Sequence, residues 1–199
     1  MQALIVVDAQ NEFSQNGKRA VPNHSDAIEV IKERADAARR EGRPIAWVRH
    51  FNRPNESAVF IPDTWGAEFC PGLGPNPSRD LEVEFRKEVY GAFTGTDIGA
   101  WLETLAIDEV LILGFYTHGC LSTTAREAIM LGLDVSIDPD GTGACDLAHE
   151  LLGALTADEV RRSALLQLAN MGANIQSIRS SMTEGRKAQT VGGCSVQVR

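Results

Sequence analysis

Three side chains, Asp8, Lys87 and Cys120, carry the chemistry that this sequence offers. Cys120 follows Gly114-Phe115-Tyr116-Thr117-His118-Gly119, between a buried apolar run and the start of a helical pattern. A thiol at a helix N-terminus faces unpaired N–H groups, whose partial positive charge favours thiolate. Amides around the same turn are free to stabilise an oxyanion. The alternative reading is a packed cysteine near a helix end. Asp8 closes the apolar run Ala3–Val7, where a carboxylate is costly without a partner or a task. Lys87, in Phe85-Arg86-Lys87, is the candidate partner, either as a plain salt bridge at a sheet edge or as part of a site. An acid, an amine and a thiol together supply a base, a charge balancer and a nucleophile.

These residues can meet only if the chain folds to bring them to one rim. Ala3–Val7 reads as a strand buried on both faces, as parallel strands are. Asp26 to Arg40 sets Ile28, Ile31, Ala35 and Ala38 on one helical face, with Gly42 as a stop. Pro44–Val48 reads as a second strand, ended by Arg49 and His50. Leu81–Phe85 makes a short third strand, Asp97–Leu105 a helix and Glu109–Leu113 a buried fourth strand. A helix from about Cys120 to Leu131 and a strand at Val135–Ile137 follow. Thr156 and Glu159 form a capping box for a helix carrying Val160, Ala164, Leu165, Leu168 and Met171 on one side. Asn174–Ile178 reads as a last strand. Residues 51–80 and 138–155 read as long loops, which in compact domains are usually functional or mobile.

Alternating β and α elements predict an α/β fold: a doubly wound, Rossmann-like, mostly parallel sheet of about six strands with helices on both faces. Such sheets do their chemistry at the carboxyl ends of strands, the rim to which Asp8, Arg49, His50, Lys87 and Cys120 are assigned.

Composition narrows the class. The chain has 199 residues, 43% of them hydrophobic, and a formal charge of −8. That is enough for one packed domain. The negative balance argues against nucleic acid or an anionic membrane as partner. The N-terminal segment lacks a positive n-region, and its apolar run is too short for a signal peptide or a membrane span, so a cytoplasmic protein is expected. Cys70, Cys120, Cys145 and Cys194 show no CxxC spacing. A disulfide framework or a structural zinc is not expected, and apart from Cys120 the cysteines are read as inert.

Three segments, VVDAQNEF at 6–13, RKEVYGAFTGT at 86–96 and GFYTHGCLSTTAREA at 114–128, resemble the patterns D-x-Q-x-x-F, K-x-x-x-[SG]-A-F-x-G-T and G-x-x-T-x-x-C-x-x-T-A-x-x-A of the isochorismatase-like cysteine hydrolases. Their order and spacing agree over roughly residues 1–178, and the domain is placed at 1–180 with a polar tail at 181–199. The resemblance implies a catalytic triad of Asp8, Lys87 and Cys120. It also implies a cis peptide at Phe115–Tyr116 and an oxyanion hole from the Tyr116 and Cys120 amides. The implied activity is cleavage of a small linear amide, carbamoyl or ureido C–N bond through a thioester. Alternatives are an isochorismatase-type ether hydrolase, or a binding or assembly protein on the same fold. True isochorismatases usually have glycine at the nucleophile position, so Cys120 favours amide chemistry.

Phe13, Phe51, Trp65, Phe93 and Tyr116 flank the rim, and the resemblance implies that some of them wall a compact substrate pocket, although Phe13 and Phe93 fit a core role nearly as well. Asn52, Arg49 and Arg53 lie where substrate polar groups could be read, and an arginine suits a carboxylate or ureido oxygen. Nicotinamidases of this superfamily carry a D-x-H metal pair after the second strand; here the stretch is Arg49-His50-Phe51-Asn52. No catalytic metal and no cofactor are therefore expected, and His50 reads as a solvated loop residue. Asp138-Pro139-Asp140-Gly141-Thr142-Gly143 is similar to the opening of a calcium loop, but its twelfth position is His149 and a strand precedes it. It reads as an acidic turn near the site rim or a subunit contact. By family resemblance the protein is a homodimer or homotetramer acting on a small amide-type molecule.

Overall fold

A computed structural model describes residues 1–53 and 55–177. The expected end of the last strand at Ile178, the tail at 181–199 and Cys194 lie outside the described residues. Six strands form one parallel sheet: β1 (Gln2–Val7), β2 (Ile45–His50), β3 (Glu82–Lys87), β4 (Glu109–Phe115), β5 (Asp134–Gly143) and, after a separate hairpin of β6 (Leu147–His149) and β7 (Gly153–Leu155), the short β8 (Asn174–Ile175). The spatial order is β3-β2-β1-β4-β5-β8, with every described neighbour parallel. The order reverses direction around β1 and β4, and that is where doubly wound sheets open a crevice at their carboxyl ends.

The alternation of side chains explains the continuous apolar runs. In β1, Ala3, Ile5 and Val7 pack into one core layer and Leu4 and Val6 into the other, so neither face meets water. Helix α1 (His24–Arg40) covers the second layer with Ala27, Ile28, Ile31, Ala35 and Ala38. Helices α2 (Ile98–Thr104), α3 (Ser122–Met130) and α4 (Ala157–Asn170) cover the first. The expected capping box of α4 is present: Glu159 N–H reaches Thr156 Oγ1 at 3.4 Å, and Thr156 N–H reaches the Glu159 carboxylate at 2.8 Å. Val160, Ala164, Leu165 and Leu168 are buried as expected. Met171 is not: it caps the helix C-terminus at 40% exposure, because Gly172 turns the chain away there.

Residues 138–155 are the larger correction. Instead of a loop, β5 continues through Asp138 to Gly143, re-pairing Thr142 and Gly143 with Gly114 and Phe115 after a register shift. Asp138 is buried and receives two hydrogen bonds from Arg34, at 3.0 and 2.7 Å, so it supports the sheet rather than an acidic turn. Asp140 accepts from Ser177. The proline and glycines of this segment disguise a strand that tertiary pairing enforces. The hairpin β6–β7 that follows projects Leu151 and Leu152, 87% and 85% exposed.

Gly114 permits the approach that brings β1 and β4 together at the rim. It has φ +121°, and a Cβ there would sit 1.8 Å from the Val7 carbonyl oxygen. Strain and overlap with backbone combine at this point. Gly114→Ala is expected to cost roughly 3–5 kcal/mol, read as a lowered urea midpoint; an unchanged midpoint would show that the strands can part without penalty.

Candidate active site

The rim assembles from strand ends. Asp8, one residue past β1, has φ +53°, a left-handed conformation that aspartate tolerates better than most residues. Its N–H bonds to Val48 O at 2.9 Å and its carbonyl receives Gln10 N–H at 2.7 Å, which turns the chain sharply and aims the carboxylate inward. His50 and Lys87 are paired residues at the ends of β2 and β3, so both side chains point to the same side. Cys120 lies in the distorted turn Thr117–Leu121 that joins β4 to α3. There the Tyr116 carbonyl receives both Gly119 N–H at 3.0 Å and Leu121 N–H at 3.2 Å. Gly119, at φ −110° and ψ −107°, breaks the helical path just before the cysteine. The Phe115–Tyr116 peptide is cis.

Asp8 and Lys87 form an ion pair of 2.8 Å with both side chains fully buried. Lys87 Nζ also donates to the Val89 carbonyl at 3.1 Å and lies 3.2 Å from His50 Nδ1. Its acceptors are thus three, matching the three hydrogens of an ammonium. Asp8 divides its two oxygens: Oδ2 takes the ammonium, and Oδ1 is buried without a hydrogen-bond partner among the described residues. Cys120 Sγ lies within 4.8 Å of an Asp8 carboxylate oxygen and of a His50 ring nitrogen. Acid, amine and thiol, separated by 79 and 33 residues of chain, therefore meet in one buried group.

The electrostatics correct one expectation. Burial pulls the Lys87 ammonium down, but the opposing charge of Asp8, with its hydrogen bond, leaves it above the ordinary lysine value. The Cys120 thiol is pushed well up, first by burial and then by the Asp8 carboxylate, with Lys87 only partly opposing. Burial and the neighbouring carboxylate thus favour the thiol over the thiolate that a helix N-terminus suggests. Cys70, the other buried cysteine, is pushed up to about 12 by burial and sits 3.4 Å from His24 Nε2 on the opposite face of the sheet.

A cavity of about 530 Å³ opens beside this buried group, reached by Asp8 and Cys120 and walled by Phe13, Phe60 and Tyr116. Phe13 packs on Phe60, Phe115 and Tyr116 with ring centroids 5.2, 5.4 and 4.8 Å away. It therefore serves core and cavity at once. Asn52 and Arg53 also line it, as do Arg19 and Tyr90, which sequence reasoning did not single out. Trp65 does not: it is half exposed beside a separate groove formed with Gly66 and Glu12. Phe93 packs against the core layer under α2 and α3. Phe51 lines a neighbouring groove and, with Phe69, stacks on Arg49. Arg49 is tied to Glu84 as well and lies outside the cavity.

His50 was expected in solvent and is buried instead, 8% exposed, with its ring lowered by burial and by Lys87. Gln10 was missed as a site residue, although it occupies the glutamine position of D-x-Q-x-x-F. Fully buried, its amide donates to His50 O at 3.0 Å and Ala67 O at 2.9 Å and accepts from His50 N–H at 2.8 Å, pinning β2 and the 65–67 turn to the first strand. The second motif is anchored likewise: Glu127 receives Phe93 N–H at 2.9 Å, and a Cβ on Gly91 would collide with that carboxylate.

Asp8, His50 and Cys120 place one donor atom each within 4.8 Å of one another, a spacing that a divalent ion can use. The surroundings do not fit one. Both His50 ring nitrogens are engaged, Nδ1 by Lys87 and Nε2 by Asn52 Oδ1 at 2.9 Å, and a buried ammonium already compensates the carboxylate.

Residues 2–180 match the family model described as the isochorismatase domain. The chain belongs to the isochorismatase family. An isochorismatase family protein of Bacillus subtilis, YddQ, is 28% identical over 148 residues, covering 74% of this chain and 81% of that one. The nicotinamidase/pyrazinamidase of Mycobacterium tuberculosis is 29% identical over 189 residues, covering 84% and 98%. A solved isochorismatase structure from Pseudomonas putida superposes with a TM-score of 0.81 at 29% identity, covering 90% of this chain and 89% of that one.

The site gives a pH prediction. His24, His50 and His118 are each held below the ordinary 6.5, in every case with burial as the first cause. The unfolded chain takes up these protons near pH 6.5 and the folded one only lower, so stability is fullest above about 6.5 and falls as the pH drops below it. Urea midpoints are expected to decline between pH 7.5 and 5.5; a flat or rising midpoint would contradict the burial of neutral rings.

Proposed function

We propose that the protein is a cysteine-dependent amidohydrolase that cleaves a small linear amide, carbamoyl or ureido C–N bond through a thioester. The observation that carries this reading is the division of labour at Asp8, with one oxygen held by Lys87 and the other buried and unpartnered, in a carboxylate that lies within 4.8 Å of the Cys120 sulfur. A buried carboxylate oxygen without a donor is costly, and a proton from sulfur satisfies it.

In the proposed reaction Asp8 Oδ1 takes the Cys120 proton as substrate enters. The sulfur forms a bond to the carbonyl carbon, whose oxygen becomes an oxyanion held by the Tyr116 and Cys120 amides. Asp8 returns the proton to the nitrogen, the C–N bond breaks and ammonia or an amine departs, leaving a thioester. Water then gives a proton to Asp8 and adds to the thioester carbon; collapse releases the acid and restores the thiol. Lys87 keeps its proton throughout and offsets the changing negative charge. A thiol held protonated at rest needs such a base, so the raised Cys120 supports the scheme. A relative named as a nicotinamidase/pyrazinamidase supports amide chemistry in this family.

The cavity volume of about 530 Å³ suits a small molecule. Phe13 and Tyr116 supply its apolar wall, and Asn52, Arg19 and Arg53 its polar mouth. The scheme uses no metal or cofactor. Among the described residues no helix is long and apolar enough to cross a membrane. The exposed leucines of the β6–β7 hairpin support assembly as a homodimer or homotetramer.

A panel of small amides, carbamoyl and ureido compounds, assayed for ammonia or amine release beside a vinyl ether assayed for its own cleavage, tests the assignment. Turnover of an amide-type member is expected and should vanish in Cys120→Ala, while Cys120→Ser retains under one part in a thousand. Release that survives Cys120→Ala, or cleavage of the ether alone, would overturn it.

A further inference from the structure

The hydrogen bonds around His50 have a fixed polarity, readable without any hydrogen being seen. Asn52 Nδ2 lies 2.8 Å from the Val59 carbonyl oxygen and 2.7 Å from Ser57 Oγ. A carbonyl oxygen only accepts, so the atom facing it must be the amide nitrogen. Asn52 then presents its oxygen to His50 Nε2 at 2.9 Å, and that oxygen requires a proton on Nε2. On the other side of the ring, Nδ1 faces the Lys87 ammonium at 3.2 Å. An ammonium only donates, so Nδ1 must offer a lone pair. With Asp8 Oδ2 and the Val89 carbonyl, it completes the set of three acceptors.

We infer that His50 is a positioning residue: its neutral, Nε2-protonated tautomer, dictated by Asn52, fixes the Lys87 ammonium against Asp8 and so tunes the environment of the Cys120 sulfur. This rests on the triad reading given above but assigns a role outside the triad. Val59, Asn52, His50, Lys87 and Asp8 form one chain of donors and acceptors in which each member sets the polarity of the next. A second proton on the ring would turn Nδ1 from acceptor to donor and set two cationic groups face to face. The charged groups near the ring are Lys87 from β3, Asp8 from the end of β1 and Glu56 from the adjoining loop; Cys120 is the other titratable neighbour, and the Phe60 ring covers one edge.

The test needs no substrate. On the full-length protein, Cys120 alkylation by iodoacetamide is followed peptide by peptide, and folding of each variant is checked by urea titration. His50→Leu removes the acceptor and is expected to slow alkylation at pH 7.5 at least tenfold. His50→Asn places an amide oxygen near the Nδ1 position and should stay within threefold of the native rate. Asn52→Asp sets a carboxylate on Nε2 and favours the doubly protonated ring. Its rate relative to the native protein should climb as the pH is raised from 6 to 9. On the native protein, 15N spectra of labelled histidine should show His50 neutral with its proton on Nε2 at pH 7. A proton on Nδ1, a native rate in His50→Leu, or a flat ratio for Asn52→Asp would each overturn the inference. If the panel shows no amide turnover while these results hold, the substrate assignment fails and the role of His50 stands. If amides are turned over and His50→Leu alkylates normally, the reverse follows.

Discussion

The structure turns on one interaction, a fully buried ion pair between Asp8 and Lys87. Removing both charges from water costs several kcal/mol per ion, and the attraction between them repays this only with good geometry and satisfied hydrogens. Parallel register supplies the geometry. β1 lies beside β2 and β2 beside β3, so residues 8, 50 and 87 arrive at one rim with no loop needed to carry them. The ammonium's hydrogens are all taken, by carboxylate, imidazole and a main-chain carbonyl. Of the pair, only Asp8 Oδ1 is left over. The fold thus leaves an unsatisfied demand for a proton on a carboxylate that lies within 4.8 Å of a thiol.

Elements farther away serve that arrangement. Gly114 lets β4 close on Val7 and carries the chain toward Cys120. Gln10 locks the turn after Asp8 to His50 and to residue 67. Thr142 Oγ1 donates to the Gly114 carbonyl at 2.6 Å and lies 2.7 Å from Thr117 Oγ1, so the re-paired end of β5 braces the turn that holds the sulfur. Each contact is a buried polar group satisfied by a neighbour, and together they keep a polar cluster ordered between two apolar layers.

Much of this was legible in the chain itself. Continuous apolar runs announced strands buried on both faces, and the rule that chemistry gathers at their carboxyl ends selected Asp8, Lys87 and Cys120 for one rim. What failed did so for physical reasons. The charge state of Cys120 could not be read from its place before a helix, because it depends on burial and on a carboxylate 112 positions away. His50 looked like a solvated loop residue because nothing local reveals that Lys87 pairs beside it. Residues 138–143 looked like a turn because proline, glycine and aspartate are turn formers; their strand exists through pairing with β4 and through Arg34. Trp65 and Phe93 are assigned to the substrate by resemblance, whereas one lies beside a different groove and the other packs against the core layer.

The central claim is that the unpartnered Asp8 oxygen is the base that activates Cys120. The most direct measurement is the rate of C–N cleavage in Asp8→Asn, on the best amide found for the native protein, with folding confirmed. Asparagine keeps the shape and an acceptor for Lys87 yet cannot take the thiol proton. Loss of general-base catalysis is worth about 10²–10⁴ in rate, and a fall of that size is predicted. A variant that retains more than about a tenth of native cleavage, well short of that range, would contradict the account.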